Sequence, residues 1–462
     1  MLKAENKSEL HGNLLAKSVD FFNNNIIVFF CIIAISIPIL LLILYVKFYS
    51  LHIVFMDDWE FVNYIEKYYL GTLSIGDLAS QQNEHRILFP RIVYLVDVVG
   101  FHFDTHYMCY LSLTFLIAVM LIVFKCFYNL NKNIKIWMLL LEFIPVSIIL
   151  FTFKQWESIL YGSSVCTYMT IFGMIAAFYL LSRLKGLDLT FFGATAFGVF
   201  SSWSFFAGLL IWPLGLVYIF ISEIKNKVKI GICWSIIGLL NILIYFDGWT
   251  RPGYHSSPFY ILSHPTNAVA YMLINIGSYF STMNNIYDAM FFGFLLLLML
   301  FFISYIIVKN GLVNKYSMWI MFILMSLCTT VILVIGRSGF GVAQALSSRY
   351  VIFSLFLLIG IYLIMIDILN NKKINNIKFV KILHVVFIIT IIYASIINLN
   401  YGLMIGHEWE NLNSNGADVL SQYQSMTDKQ LEILYPSATV LKERIPILEK
   451  HKLNVFYNLN SD

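Results

Sequence analysis

Apolar positions along this chain gather into long runs near residues 26–47, 105–125, 136–153, 164–182, 189–205, 207–222, 230–246, 288–308, 316–336, 350–369 and 380–399. A membrane-spanning helix needs about 20 predominantly apolar residues, so the pattern predicts about eleven crossings. The runs at 189–205 and 207–222 are short and share a tight joint at Ser201-Ser202-Trp203. That predicts tilted, broken or half-crossing helices there. Residues 259–285 are moderately apolar but start at a Ser263-His264-Pro265 break. Both of their flanks must lie on one side, so a re-entrant or surface helix is expected. Phe61, Tyr64, Ile65, Tyr68 and Tyr69 recur at helical spacing, which predicts an amphipathic helix along the membrane surface. Residues 87–99 form a further apolar stretch interrupted by Arg91 and Asp97. It is expected to lie at the interface or to begin the second span.

Composition agrees. The chain has 462 residues, is 59% hydrophobic and only 12% charged, with a mean hydropathy of +0.78. A water-soluble domain of this size carries about twice that charge. The expected fold class is therefore all-α, a polytopic transmembrane helix bundle with amphipathic helices on one face. Forty Phe and 28 Tyr suit rings that settle at the lipid–water boundary. The six cysteines mostly lie within apolar runs without a CxxC pair and read as small core residues. The first apolar run has no small-residue cleavage site after it and reads as a retained signal-anchor helix.

Basic residues choose the sides. Six short connectors hold Lys3, Lys7, Lys17; Lys125, Lys132, Lys135; Arg183, Lys185; Lys225, Lys227, Lys229; Lys309, Lys315; and Lys372, Lys373, Lys378, Lys381. The alternate connectors before residue 401 hold Lys47, Lys67, Arg86, Arg91, Lys154, Arg251, Arg337 and Arg349. The positive-inside bias places the N-terminus in the cytoplasm and, with an odd span count, the C-terminal tail outside. The expected organisation is a bundle over residues 1–400, with its first outer loop at 48–105, and a small outer tail over 401–462. Such a tail is too short for an independent enzyme domain but could form a lid over the outer face.

Chemistry-bearing residues collect in the outer connectors. Asp57 and Asp58, within Phe55-Met56-Asp57-Asp58-Trp59-Glu60, stand just beyond the first run. Carboxylates at a membrane rim are costly to desolvate and are functional candidates by default. One of them suits a general base, with Glu84 as a further acid; the plainer reading is a helix cap. Asn83-Glu84-His85-Arg86 with Pro90-Arg91 combines acid, imidazole and guanidinium, which suits phosphate. Lys154-Gln155-Trp156-Glu157 suits sugar stacking or an interfacial anchor. The connector from Asp247 to Pro258 is shaped by Gly and Pro and holds Tyr254 and His255, a candidate ligand or proton carrier. Arg337 and Arg349 flank adjacent spans among Gly336, Gly339 and Gly341. Arginine at that depth seeks an anion, and glycines allow close backbone approach. Trp59, His85, Trp156, Glu157, Tyr254 and His255 are the sugar or acceptor candidates; Arg86, Arg91, Arg337 and Arg349 are the donor-phosphate candidates. No GxGxxG, Walker loop, HExxH or zinc pattern occurs, which argues against cytoplasmic nucleotide chemistry.

Met56-Asp57-Asp58-Trp59, Asn83-Glu84-His85-Arg86 with Pro90-Arg91, Gln155-Trp156-Glu157 and Ser348-Arg349-Tyr350 together resemble the polytopic GT-C glycosyltransferases, most of all the bacterial integral-membrane glucosyltransferases that decorate O-antigen. The resemblance implies a GT-C-like bundle in the bacterial inner membrane, with its site and tail periplasmic. It implies a polyprenyl-phosphate sugar donor, a lipid-linked or envelope glycan acceptor, and a separate donor synthase and flippase as partners. The expected reaction is one displacement with inversion, Asp57 or Asp58 taking the acceptor proton and the arginines neutralising the leaving phosphate. No cofactor and no nucleic acid partner is expected. Arginines can do the neutralising, although Asp57, Asp58 and Glu84 could hold a divalent ion. The rivals are a transporter or flippase of lipid-linked glycan, which should show mid-membrane charges and matching halves, and a polymerase-like ligase, which should gather its arginines in one large late loop.

Overall fold

The computed structural model describes residues 2–253, 257–281, 285–370 and 377–458. It is an all-α bundle, with a two-stranded hairpin as the one sheet among the described residues. Each apolar run becomes a helix. Nine described helices are long and apolar enough to cross a membrane, making this a multi-pass membrane protein. The two short runs become Leu189–Ser202 and Phe206–Ile221, both below spanning length. Asp188 caps the first of them, accepting from the amides of Thr190 and Phe191 at 3.1 and 3.2 Å, as an N-cap aspartate should. The break after Ser202 is built by close approach. A Cβ on Gly208 would lie 1.9 Å from the Ser201 carbonyl oxygen, so only glycine lets the chain double back there.

The Ser348–Asn370 helix is apolar all round, and its whole 18-residue apolar window is buried, as expected of a helix sheathed by others. Ser317–Arg337 packs along it. At the end away from the acidic loop, Lys315 pairs with Asp367. The 259–285 segment folds into a half-length helix, Pro265–Gly277, followed by a 3-10 turn at Ser278–Phe280. Gly277 and Gly293 seat it against the Ile286–Lys309 helix: a Cβ on either would meet a neighbouring carbonyl at 2.0 Å. The 87–99 stretch is an independent helix, Leu88–Phe101, and not the start of the second span; His102 and Phe103 at positive φ separate it from His106–Leu130.

The last apolar run extends far beyond the membrane. Ile377–Ser421 is one helix of 45 residues, about 67 Å at 1.5 Å per residue, twice the hydrocarbon thickness. Its C-terminal half begins the tail, which continues through the Ala438–Lys450 helix. That helix lies on the amphipathic helix Val62–Tyr69. Loop and tail share one apolar core, in which Trp59, Phe61, Val62 and Ile65 meet Leu434, Leu441, Ile445 and Leu448.

Candidate active site

Asp57 and Asp58 sit on a 3-10 turn, Met56–Phe61. With three residues per turn, neighbours point about 120° apart, and the two acids part company. Asp58 turns inward and is 1% exposed. The Tyr94 hydroxyl donates to it, and the Phe55 amide donates to its second oxygen at 3.4 Å. Burial pushes its carboxyl up to about 8 against the Tyr94 hydrogen bond, so it is largely protonated at neutral pH. Asp57 turns the other way and lines a cavity of about 620 Å³, well within the range of small-molecule sites. Its backbone amide donates to Tyr161 Oη at 2.5 Å, which fixes the turn against the Trp156–Tyr161 connector. Among the described residues, none hydrogen-bonds the Asp57 carboxylate. Burial raises its pKa, Arg349 lowers it, and Glu60 and Glu84 raise it.

The second wall is the hairpin Gln81–Arg86, in which Gln81 pairs with Arg86 and Gln82 with His85. Asn83 takes the left-handed conformation at the tip, φ +51°, which asparagine tolerates better than most residues. Glu84 and His85 thereby face the cavity. His85 lies flat on Phe205, ring centroids 3.9 Å apart, and its Nδ1 accepts the Phe206 amide at 3.3 Å. In the neutral ring the proton is then on Nε2, which stands 3.5 Å from Glu84 Oε1.

The third wall comes from the facing ends of Ser317–Arg337 and Ser348–Asn370. Arg337 pairs with Glu84. Arg349 Nε lies 3.0 Å from Glu157 Oε1 and 3.2 Å from Ser347 Oγ. Glu157 Oε2 in turn accepts from Ser347 Oγ and Ser348 Oγ at 3.1 and 3.3 Å. Each arginine therefore arrives with a glutamate partner, and Asp57 shares the cavity with both. Below them the lining becomes largely apolar through Leu333 and Ile332 on one helix and Phe353 on the other, with the Thr329 hydroxyl the polar exception. Thr329 is eight residues below Arg337, about 12 Å deeper along the helix.

Of the residues singled out in the sequence, Asp57, Glu84, His85, Arg337 and Arg349 line this cavity. Six others do not. Asp58 stands behind the turn. Trp59 is fully buried in the loop–tail core, so it offers no sugar surface. Arg86 gives Nε to the Tyr245 carbonyl at 2.6 Å, Nη1 to Ala79 at 3.0 Å and Nη2 to Asp247. Arg91 is 1% exposed, bonds the carbonyls of Leu78 and Ser80 at 2.9 and 2.7 Å, and lies over the Tyr64 ring at 4.5 Å. Both guanidiniums hold the hairpin and the chain before it, and neither lines the cavity. Trp156 packs edge-on to Trp409 at 5.8 Å, and Glu157 holds Arg349. Tyr254 and His255 lie outside the described residues. Tyr161, Tyr94 and Tyr350 are not among the sequence's site candidates, although Tyr350 stands in the Ser348-Arg349-Tyr350 stretch; Tyr161 and Tyr350 line the cavity. Among the described residues no group of three or more His, Cys, Asp or Glu is placed to hold a metal.

No family model and no curated protein matches the chain. Among solved structures it is similar to the crystal structure of ArnT from Cupriavidus metallidurans bound to undecaprenyl phosphate, with 11% identity and a TM-score of 0.49, over 93% of this chain and 88% of that one. The fold and site define a multi-pass membrane helix bundle whose acidic and arginine-bearing connectors converge on one amphipathic cavity.

Proposed function

We propose that this protein is an integral-membrane glycosyltransferase of the GT-C type. In this reading it moves a hexosyl group, glucosyl by the resemblance of its connectors, from a polyprenyl phosphate to a lipid-linked or envelope glycan such as O-antigen. It works on the periplasmic side of a bacterial inner membrane, and a separate synthase and flippase supply the donor. One observation carries the reading: an Asp57 carboxylate with no hydrogen-bond donor among the described residues shares a cavity with Arg337 and Arg349, above a largely apolar foot. Phosphate suits the arginines, a prenyl chain suits the foot, and a hydroxyl of the acceptor suits the open carboxylate.

The chemistry balances without a nucleotide. The acceptor O–H gives its proton to Asp57 as its oxygen attacks the anomeric carbon. The bond from that carbon to the phosphate oxygen breaks on the opposite face, with inversion, and both electrons leave with the lipid phosphate. A positioned base contributes about 10²–10⁴-fold. Preorganised donors at the developing anion contribute about 10²–10³-fold each. The incoming phosphate competes with Glu157 and Glu84 for the two guanidiniums, so donor binding rearranges these pairs.

The test is glycan transfer from undecaprenyl-phosphate glucose by variants that insert normally. Asp57→Asn should lose at least about 10²-fold in kcat, while Asp58→Asn, whose side chain turns away from the cavity onto Tyr94, should lose less. Full transfer by Asp57→Asn removes Asp57 as the base, and a lack of any transfer by the parent protein removes the proposal. Arg349→Glu should weaken donor use more than acceptor use, and the opposite order counts against a phosphate role.

A further inference from the structure

Among the described residues, those that line the cavity come from positions 57 to 353, and none comes from the tail. Yet the tail grips the turn that carries Asp57 on both sides of that residue. The Met56 amide donates to the Leu434 carbonyl at 2.9 Å. Arg444 forks onto Glu60, Nη1 to Oε1 at 2.9 Å and Nη2 to Oε2 at 3.2 Å. The Tyr435 hydroxyl adds a third bond to Glu60 at 2.7 Å. Burial alone would raise the Glu60 carboxyl, but Arg444 and Tyr435 hold it below its ordinary value. A planar guanidinium fork on a carboxylate fixes direction as well as distance.

The grip acts on a turn that needs it. Met56 has φ +45°, a left-handed conformation that non-glycine residues hold only when their surroundings impose it. The tail is in turn seated with little tolerance. A Cβ on Gly406 would meet the rings of Tyr49 and Tyr45 at 2.8 and 2.9 Å, and one on Gly416 would meet Ile53 at 2.3 Å. The Trp409 and Phe55 rings contact at 6.0 Å, edge to face.

We propose that the C-terminal segment is a working part of the active site, and that Arg444 and Tyr435, through Glu60, are positioning residues that aim the Asp57 carboxylate into the cavity. This rests on Asp57 being the base of the proposed transferase. The tail would then govern turnover without touching substrate. An error of about 1 Å in the placement of a reacting group can cost about 10²-fold in rate, so a loosened fork should be felt in kcat.

The experiment uses the full chain in lipid nanodiscs, with hydrogen exchange read by peptide and transfer read from undecaprenyl-phosphate glucose. Arg444→Ala and Tyr435→Phe should speed exchange at the amides of residues 56–62 and leave residues 348–370 unchanged. Arg444→Ala should lower kcat by about 10- to 100-fold with the donor KM nearly constant, and Arg444→Lys should recover part of both effects. Unchanged exchange at 56–62 overturns the proposal. So does faster exchange with unchanged kcat, a rise in KM alone, or faster exchange throughout the spans. The Asp57→Asn variant separates the two readings. If it transfers sugar as well as the parent, Asp57 is not the base and the positioning role falls with it, while the exchange data still decide whether the tail holds the turn.

Discussion

Two adjacent aspartates with the same chemistry end in opposite states because a 3-10 turn sends one to a cavity and the other to a core. Asp57 must be ionised to accept a proton, and its pKa lies above the ordinary carboxylate value of about 3.9. The acidic limb of kcat/KM should therefore lie higher than for a free aspartate. Arg349 pulls that pKa down and Glu84 pushes it up. In a pH–rate profile, Arg349→Ala should move the limb to higher pH and Glu84→Gln to lower pH; a limb that stays put in both excludes Asp57 as the titrating base. Asp58 makes a different prediction. Its value of about 8 in the folded chain exceeds its unfolded value, so folding retains a proton that the unfolded chain loses. The contribution of this group is fully present below about pH 4 and drains away as pH rises toward its folded pKa. Asp58→Asn keeps an acceptor for Tyr94, and so should match the parent in Tm at pH 4 and exceed it at pH 8. A gap that does not vary with pH would show that Asp58 is already charged. The residue types of the site were legible from the sequence, since Asp57, Glu84, His85, Arg337 and Arg349 were all singled out. Which of two neighbours faced the cavity was not, because that depends on a turn geometry that no local pattern specifies.

Long elements and short ones differ in how they declare themselves. A spanning helix answers to one strong term, the cost of unpaired backbone in lipid, and each apolar run became a helix. The span count did not follow as simply, because Leu189–Ser202 and Phe206–Ile221 are too short to be counted with the nine. The hairpin Gln81–Arg86 answers to contacts far off in sequence. Gln81 pairs its side-chain amide with the backbone of Thr250, accepting at 3.0 Å and donating at 2.6 Å, and Trp249 Nε1 donates to the Glu84 carbonyl at 3.2 Å. Arg86 looked like a phosphate ligand for the same reason that it makes a good brace: it is a cation with several donors in a fixed fork. The two roles predict different kinetics. Arg86→Ala strips donors from three carbonyls, and removing a charged hydrogen-bonding group costs about 1.5–3 kcal/mol. A lower Tm is expected, with a donor KM that moves less than in Arg349→Ala. A donor KM raised as far as in Arg349→Ala, at unchanged Tm, would return Arg86 to the phosphate.

At the scale of the whole molecule, the cavity exists because the chain is long enough to bring five separate connectors to one end of a bundle. Charge alone would fit a soluble sugar phosphate as well as a lipid-linked one. The distinction lies in the foot. Thr329, Ile332, Leu333 and Phe353 continue the lining below the arginines, on helices that cross the membrane. A soluble donor would leave that depth to water, whereas a prenyl chain would bury it. Each methylene equivalent buried there stabilises the bound donor by about 0.8 kcal/mol, so even one isoprene unit in the foot is worth more than tenfold in affinity. Filling the foot should therefore penalise donors in proportion to their chain. Leu333→Trp should raise KM strongly for an undecaprenyl-phosphate donor and weakly for a water-soluble analogue whose chain ends within one isoprene unit. Adding a charge at the same depth, as in Ile332→Arg, should act in the same direction through desolvation. Equal effects on both donors would mean that the chain lies elsewhere, along the outside of the bundle, and that the apolar foot serves the fold alone.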